Sequence, residues 1–343
     1  MTHECPLPRA PEPLEQMLRL LNGHCLEQAL YVAAVLGIAD LIGEGAKSSD
    51  ELACATGADG PSLYRLLRTL ASIDVLSEDP DGSFALTSLG AMLRRDVPNS
   101  VWDRALYYGA PEMWQVWGNL LHSVKTGESA CEHVYATPFY EYLSQHPNVG
   151  VPFNRYMTKS SEQHTAAILQ SYDFAHLRTL IDIGGGHGGT LAAILQAYPA
   201  LHGILFDLPE VVAHATPLDT LGVAQRCKIV GGDMQHSVPC GGDGYLIKWV
   251  LMDRSDEQAI KVLRNCREAM VDEGKIMVVE MVMPRGTEAS FSKMMDLQMM
   301  LLFGRGGIRT EEEFCALFNA AGLQVTQCLA TPSPNSIIEG VRV

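Results

Sequence analysis

Five of the six residues from Gly184 to Gly189 are glycine, with one acid two residues before them, Asp182, and another at the end of the next apolar run, Asp207. The stretch from Thr179 to Leu208 reads TLIDIGGGHGGTLAAILQAYPALHGILFDL. Leu180–Ile183 and Gly203–Phe206 are short apolar runs of strand length, and Thr190–Tyr198 between them is amphipathic. The order is therefore strand, glycine turn, helix, strand. A turn of this kind lets a ligand approach the main chain, beside the unpaired N–H groups that open a helix. Gly184, Gly186 and Gly189 also satisfy the dinucleotide pattern G-x-G-x-x-G, with Asp207 where a ribose-binding acid belongs. Asp182 favours a different ligand, because a carboxylate there repels a pyrophosphate and attracts a cation. S-adenosylmethionine, with its sulfonium, amino group and ribose diol, suits two acids at the ends of adjacent strands. A plain βα turn with solvent-facing acids is the third reading.

The remaining chain supplies the elements that hold this loop. At 343 residues it exceeds the usual single core of about 100–200 residues, so two domains are expected. A formal charge of −15 and no cluster of Lys and Arg argue against nucleic acid and anionic membranes as partners. No signal-like opening and no apolar run near 20 residues is present, which predicts a cytoplasmic protein. Nine cysteines without C-x-x-C pairs read as reduced thiols, with no disulfide frame and no metal site.

Met1–Pro13 is proline-rich and expected to be frayed. Apolar residues at helical spacing from Leu14 to Ile38 open a helical first domain. Ser48 or Ser49 caps a short helix, the Asp59-Gly60-Pro61 turn leads to a helix over Ser62–Ile73, and Val75-Leu76 pairs with Phe84–Leu86 across a turn at Asp79–Gly82. This has the form of a winged helix. Between Lys47 and Thr87, three basic residues stand against seven acidic ones, a net of −4 that favours a protein interface over DNA. Val101–Gln145 is rich in aromatic residues, suited to helix packing or to a cavity for a flat ligand. After Asp207, strands are expected at Lys228–Val230, Tyr245–Leu251 and Lys275–Val282, a helix at Glu257–Met270, a helix capped by Thr310, and a closing hairpin of Leu323–Leu329 with Ser336–Val343. The domains expected are residues 1–100, a helical linker and substrate region at 101–172, and 173–343.

Phe153-Asn-Arg-Tyr-Met157, Asp182-x-Gly-Gly-Gly-x-Gly188, Phe206-Asp-Leu-Pro209, Gly232-Asp-Met234 and Arg309-Thr-x-x-Glu-Phe314 together resemble the small-molecule O-methyltransferases of the plant-type and bacterial natural-product class. The resemblance covers nearly the whole chain. It implies an α/β fold, with a Rossmann-like class I methyltransferase sheet ending in an antiparallel strand, and a winged-helix domain that forms a homodimer. It implies S-adenosylmethionine or S-adenosylhomocysteine as cofactor, held by Asp182 and Gly184, Gly185 and Gly186 around the methionine part. Asp207 with Leu208 would hold the ribose, Asp233 and Met234 would flank the adenine, and Lys248 and Ser161 would approach the cofactor. Met157, Trp249, Met252, Met295 and Met299 are implied for a small aromatic or polyketide substrate, although the methionines would serve equally as helix core.

The sequence departs from the family at its acid–base machinery. The usual His-Asp-Trp after the fourth strand reads Met252-Asp253-Arg254, and the glutamate before Arg-Thr is Ile308. A thioether accepts no proton at neutral pH. Asp253 is left as the catalytic candidate, with His122, His133, His146, His164 and Asp296 as further groups to locate. Three functions fit. Methyl transfer could proceed to an acceptor acidic enough to ionise unaided, by positioning alone. The bound cofactor could instead act as a fixed charge for hydroxylation, decarboxylation or a pericyclic step. The chain could also be a silent partner of an active enzyme, which the intact glycine loop disfavours.

Overall fold

The computed structural model describes residues 12–213 and 215–343. The expected frayed opening lies outside the described residues as far as Pro11, and Pro13 starts the first helix, Pro13–Leu21. The chain forms two compact units, one of residues up to Trp114 with Asn148–Tyr156, the other of Gln115–Pro147 with Met157–Val343. Among the described residues no helix is long and apolar enough to cross a membrane.

In the first unit, Ser48 rather than Ser49 caps the helix Ser49–Thr56, in a reciprocal capping box with Glu51. The next helix, Gly60–Ala71, starts two residues earlier than its apolar pattern because the Asp59 carboxylate accepts from Ser62 N–H, and Pro61 falls in the first turn, where its missing N–H costs nothing. Strands β2 (Leu76–Glu78) and β3 (Ser83–Leu86) make the expected hairpin. A third strand, β1 (Ala46–Ser48), pairs with β3 and completes the wing in the order β1-β3-β2. Leu52, Leu63, Leu67, Leu70 and Phe84 form its core. Helix Pro13–Leu21 buries no residue, and Leu14, Met17, Leu18, Leu20 and Leu21 are all exposed along it.

The second unit is built on seven strands in the order β6-β5-β4-β7-β8-β10-β9. They are β4 (Thr179–Ile183), β5 (His202–Asp207), β6 (Cys227–Gly231), β7 (Gly244–Lys248), β8 (Lys275–Met281), β9 (Leu323–Ala330) and β10 (Asn335–Arg342). β4 to β8 run parallel, whereas β10 is antiparallel to both β8 and β9. This is the Rossmann-like class I methyltransferase sheet with its reversed final strand. Two apolar clusters cover its faces, one including Tyr245, Ile276, Leu263 and Phe314, the other including Leu180, Leu191, Leu195 and Leu246. The strand order reverses around β4, so the carboxyl ends of β4, β5 and β7 border the crevice where open α/β sheets take their ligands.

Two backbone features bear on the site. β7 ends at Lys248, three residues before the expected strand end at Leu251, because Trp249 adopts φ +57, and a 3-10 turn, Leu251–Asp253, follows. The Phe153-Asn-Arg-Tyr-Met157 motif lies on one 25-residue helix, Pro147–Ser171, with Pro152 inside it. The aromatics of the linker region pack on each other: Tyr107 stacks with Tyr156, and Tyr142 lies between Tyr135 and His146 at ring distances of 4.0 Å.

Candidate active site

Asp182 sits on β4, 1 % exposed, and its Oδ2 has no hydrogen-bond partner among the described residues. Burial raises its pKa, and the ammonium of Lys248 opposes that rise. A buried carboxylate with an unpaired oxygen is costly unless something outside the chain completes it. The glycines hold it open. Gly184 has φ +67, and a Cβ there would lie 2.7 Å from Val250 Cγ2. A Cβ on Gly185 would lie 2.6 Å from Asp182 Oδ2 itself. Asp207, at the end of β5, uses its carboxylate to hold the loop: Oδ2 accepts from Gly186 N–H at 2.8 Å and Oδ1 from Leu208 N–H at 2.7 Å. An orphaned acid, a side-chain-free cradle and a second acid one strand away fit a cationic ligand with a ribose.

At the end of β7, Lys248 Nζ donates to Ser161 Oγ at 3.0 Å and lies 4.0 Å from the centroid of the Trp249 ring. Burial lowers the lysine's pKa, against the pull of Asp182. Ser161 Oγ also lies 3.3 Å from Thr190 Oγ1, which is 3.0 Å from Thr165 Oγ1. The long helix is thus tied to the first turn after the glycine loop. Thr165 and Thr190 escaped the sequence reading. Trp249 donates its indole N–H to Asn335 Oδ1 at 3.0 Å and packs edge-on against His164 at 4.8 Å. The αL backbone of this bulky residue is strained, and only tightly packed surroundings hold such a conformation. Asp233, after β6, accepts from Gln235 N–H and contacts His236 Nδ1 at 2.8 Å. Met234 beside it is buried.

Met252 is itself buried, 9 % exposed, on the Leu251–Asp253 turn. Its backbone is gripped by Glu280 of β8, whose Oε1 accepts N–H bonds from Val250, Leu251 and Met252 at 3.1, 2.5 and 3.1 Å. Burial pushes Glu280 up to about 7, opposed by Arg309 and by those backbone donors. The guanidinium of Arg309 donates to the carbonyls of Leu251 and Arg254, both at 2.8 Å, and closes the turn from the other side. Glu280 was also missed, although an acid inside the apolar run Met277–Met281 is the same signal that exposed Asp182.

Asp253 is ion-paired with Arg254 and accepts from Tyr140 O–H at 3.2 Å, with burial raising its pKa. It lines a cleft of about 730 Å³ with His122, His133, Glu132 and Phe303. His122 and His133 stack at 3.8 Å, and His146 belongs to the Tyr142 stack. His164 is pushed down to about 4, chiefly by burial and then by Lys248, so it is a neutral and weak base. Asp296 accepts the N–H of Ile308 at 2.7 Å and serves the backbone. Met157 is half-buried one turn before Ser161. Met295 and Met299 share helix Phe291–Phe303, Met299 buried and Met295 half-buried.

Sheet order, glycine loop and paired strand-end acids define a class I S-adenosylmethionine-dependent methyltransferase. The chain belongs to the O-methyltransferase family: the model of the O-methyltransferase domain matches residues 117–324, and that of the O-methyltransferase dimerisation domain matches residues 18–96. It is 43 % identical over 324 residues to the phenazine O-methyltransferase PhzM of Lysobacter antibioticus, covering 94 % of each chain. It is 37 % identical to the mitomycin biosynthesis 6-O-methyltransferase of Streptomyces lavendulae, over 90 % of this chain and 89 % of that one. Among solved structures, the O-methyltransferase NcsB1 from neocarzinostatin biosynthesis, in complex with S-adenosylmethionine and 2-hydroxy-5-methyl naphthoic acid, superposes with a TM-score of 0.82. That pair is 33 % identical, over 95 % of this chain and 98 % of that one.

Proposed function

We propose that this chain methylates an oxygen of an acidic phenolic or polyketide-like natural product, and does so by positioning an acceptor that ionises unaided. The observation that carries the proposal is Met252: the position the family fills with a histidine base holds a buried thioether. The relatives include a phenazine O-methyltransferase and an enzyme crystallised with a naphthoic acid, which supports a flat aromatic acceptor. Asp182, with the backbone of Gly184–Gly186, would hold the amino end of S-adenosylmethionine. Asp207 and Leu208 would hold its ribose, Asp233 and Met234 its adenine, and Lys248 with Ser161 its carboxylate. When bound, the cofactor supplies an electrophilic methyl group. The chain's own contribution is to fix the acceptor oxygen in line with that methyl, exclude water, and leave the phenolate unprotonated. One oxygen of Glu280 is taken up by three backbone N–H groups of the Val250–Met252 turn, and Asp253 is paired with Arg254 and Tyr140. The same reading makes the protein a cytoplasmic homodimer, joined through its winged-helix domain and the exposed apolar helix Pro13–Leu21, with no nucleic-acid partner.

The test is the pH dependence of turnover across a series of phenols of different acidity. At pH 7 a phenol of pKa 7 is half ionised and one of pKa 10 about one part in a thousand, so the two should differ by roughly 500-fold, ~3.7 kcal/mol. The inflection of each profile should follow the phenol's own pKa. One fixed inflection for all phenols would mean that a protein group takes the proton. Loss of the family pattern at both Met252 and Ile308 also supports a second reading, in which methyl transfer has given way to decarboxylation, hydroxylation or rearrangement. Mass spectrometry of the product separates the two.

A further inference from the structure

Helix Phe291–Phe303 reads as apolar core, with Met299, Leu301 and Leu302 buried on it, yet its middle carries Gln298. Gln298 is 2 % exposed, and neither its carboxamide nitrogen nor its oxygen has a hydrogen-bond partner among the described residues. Buried polar groups are almost always paired. An amide with both ends open in a methionine- and leucine-lined interior therefore marks a place completed by something outside the chain. Leucine or methionine, which the same helix uses freely, would fill the position without that penalty. The helix is also fixed relative to the turn that carries Met252. Asp296, two residues before Gln298, accepts the N–H of Ile308 at 2.7 Å, and Gly307 donates to Met252 O at 2.8 Å. Helical spacing puts Met295 and Leu302 on the same side as Gln298. Helix Leu120–Thr126, which packs on this one, carries a second buried and unpaired group, the hydroxyl of Ser123.

We propose that Gln298 is the residue that selects and orients the acceptor, through a pair of parallel hydrogen bonds to a neighbouring donor and acceptor on a flat aromatic ring. A planar carboxamide offers one N–H donor and one C=O acceptor side by side, the geometry with which glutamine and asparagine read an adenine edge. Its complement is a carboxamide, a lactam, a protonated carboxyl, or an amino group beside a ring nitrogen. A lone phenol satisfies half of it, and a carboxylate sets oxygen against oxygen. This inference rests on the reading given under Proposed function and narrows its substrate class.

Calorimetric titration of the full chain, saturated with S-adenosylhomocysteine, tests it with 3-hydroxy-2-naphthamide and 2-naphthol as probes. The naphthamide should bind at least tenfold more tightly than 2-naphthol. Gln298→Leu should weaken naphthamide binding by tenfold or more, leave 2-naphthol within twofold, and melt no lower than the wild type in the absence of ligand. Gln298→Met repeats the comparison if the leucine variant does not fold. Equal binding of the two probes, or no binding of the naphthamide, overturns the proposal. So does a variant that melts lower while the ratio of affinities stays unchanged, the behaviour of an amide satisfied by trapped water. Failure to bind S-adenosylhomocysteine at all would instead bring down the functional reading beneath it.

Discussion

Replacing Glu280 tests whether the turn that carries Met252 is held by one buried carboxylate. In Glu280→Ala, three buried N–H groups at Val250, Leu251 and Met252 lose their acceptor at once. At roughly 1–3 kcal/mol for each buried group left unpaired, the loss should be about 3 kcal/mol or more, less whatever water can repair. Glu280→Gln keeps a carbonyl oxygen in the same place and removes the buried charge, so it should stay within ~1 kcal/mol of the wild type at acidic pH. The sign of the pH dependence follows from the raised pKa. The folded chain holds the Glu280 proton up to about 7, against an ordinary value of 4.5. The glutamate's stabilising share is therefore complete below 4.5 and is lost as the pH rises towards 7. The difference in unfolding free energy between wild type and Glu280→Gln should fall by on the order of 3 kcal/mol across that window and level off above it. Urea unfolding at pH 4.5, 6, 7 and 8, followed by tryptophan fluorescence, measures it. An alanine variant as stable as the wild type, or a difference that grows with pH, would refute the reasoning.

Asp207→Ala should weaken S-adenosylmethionine binding by about 2 kcal/mol in calorimetry, with Asp207→Asn losing less because one acceptor for Gly186 N–H remains; binding of NAD in place of S-adenosylmethionine would overturn the glycine-loop reading. Light scattering should find a dimer at micromolar concentration that Leu18→Glu with Leu21→Glu converts to monomer, since both leucines are exposed on a helix that buries nothing within its own chain; an unaffected dimer would place the interface elsewhere. Met252→His should leave turnover of an acidic phenol within about threefold and raise that of an ordinary phenol tenfold or more, because burial holds the new imidazole neutral and able to accept a proton; a gain on the acidic phenol alone would contradict the account of Met252.

Where the sequence was legible, a residue type was doing something its neighbours could not. The glycine loop, Asp182 and Asp207 stood out because apolar strands do not end in carboxylates without cause. The wing was visible as a hairpin, but β1 was not, since Ala46–Ser48 has no strand pattern and is extended only through its pairing with β3. The end of β7 was hidden as well. Apolar residues run on from Lys248 through Met252, and only the backbone reversal at Trp249 turns the second half of that run into a 3-10 turn. Pro147 begins the long helix, and tertiary packing carries it past the inner Pro152. The hydroxyl chain of Ser161, Thr190 and Thr165 joins residues up to 29 positions apart, which no local pattern reveals.

Asp182 and Glu280 separate ligand chemistry from architecture within one sheet. Each is 1 % exposed, each lies on a strand flanking β7, and burial raises the pKa of both. Burial and pKa alone would thus assign them the same role. Their partners differ. One Glu280 oxygen collects three backbone N–H groups from a single turn, so its charge is offset within the chain and its work is to hold residues 250–252 in place. Asp182 leaves an oxygen unpaired beside glycines that admit no side chain, and its nearest compensating charge, Lys248, is already bonded to Ser161. A carboxylate so placed gains most from a cation that comes and goes. Met252 rides on a turn that Glu280 and Arg309 fix from both sides, so an imidazole introduced by Met252→His would stand on a frame the chain already holds.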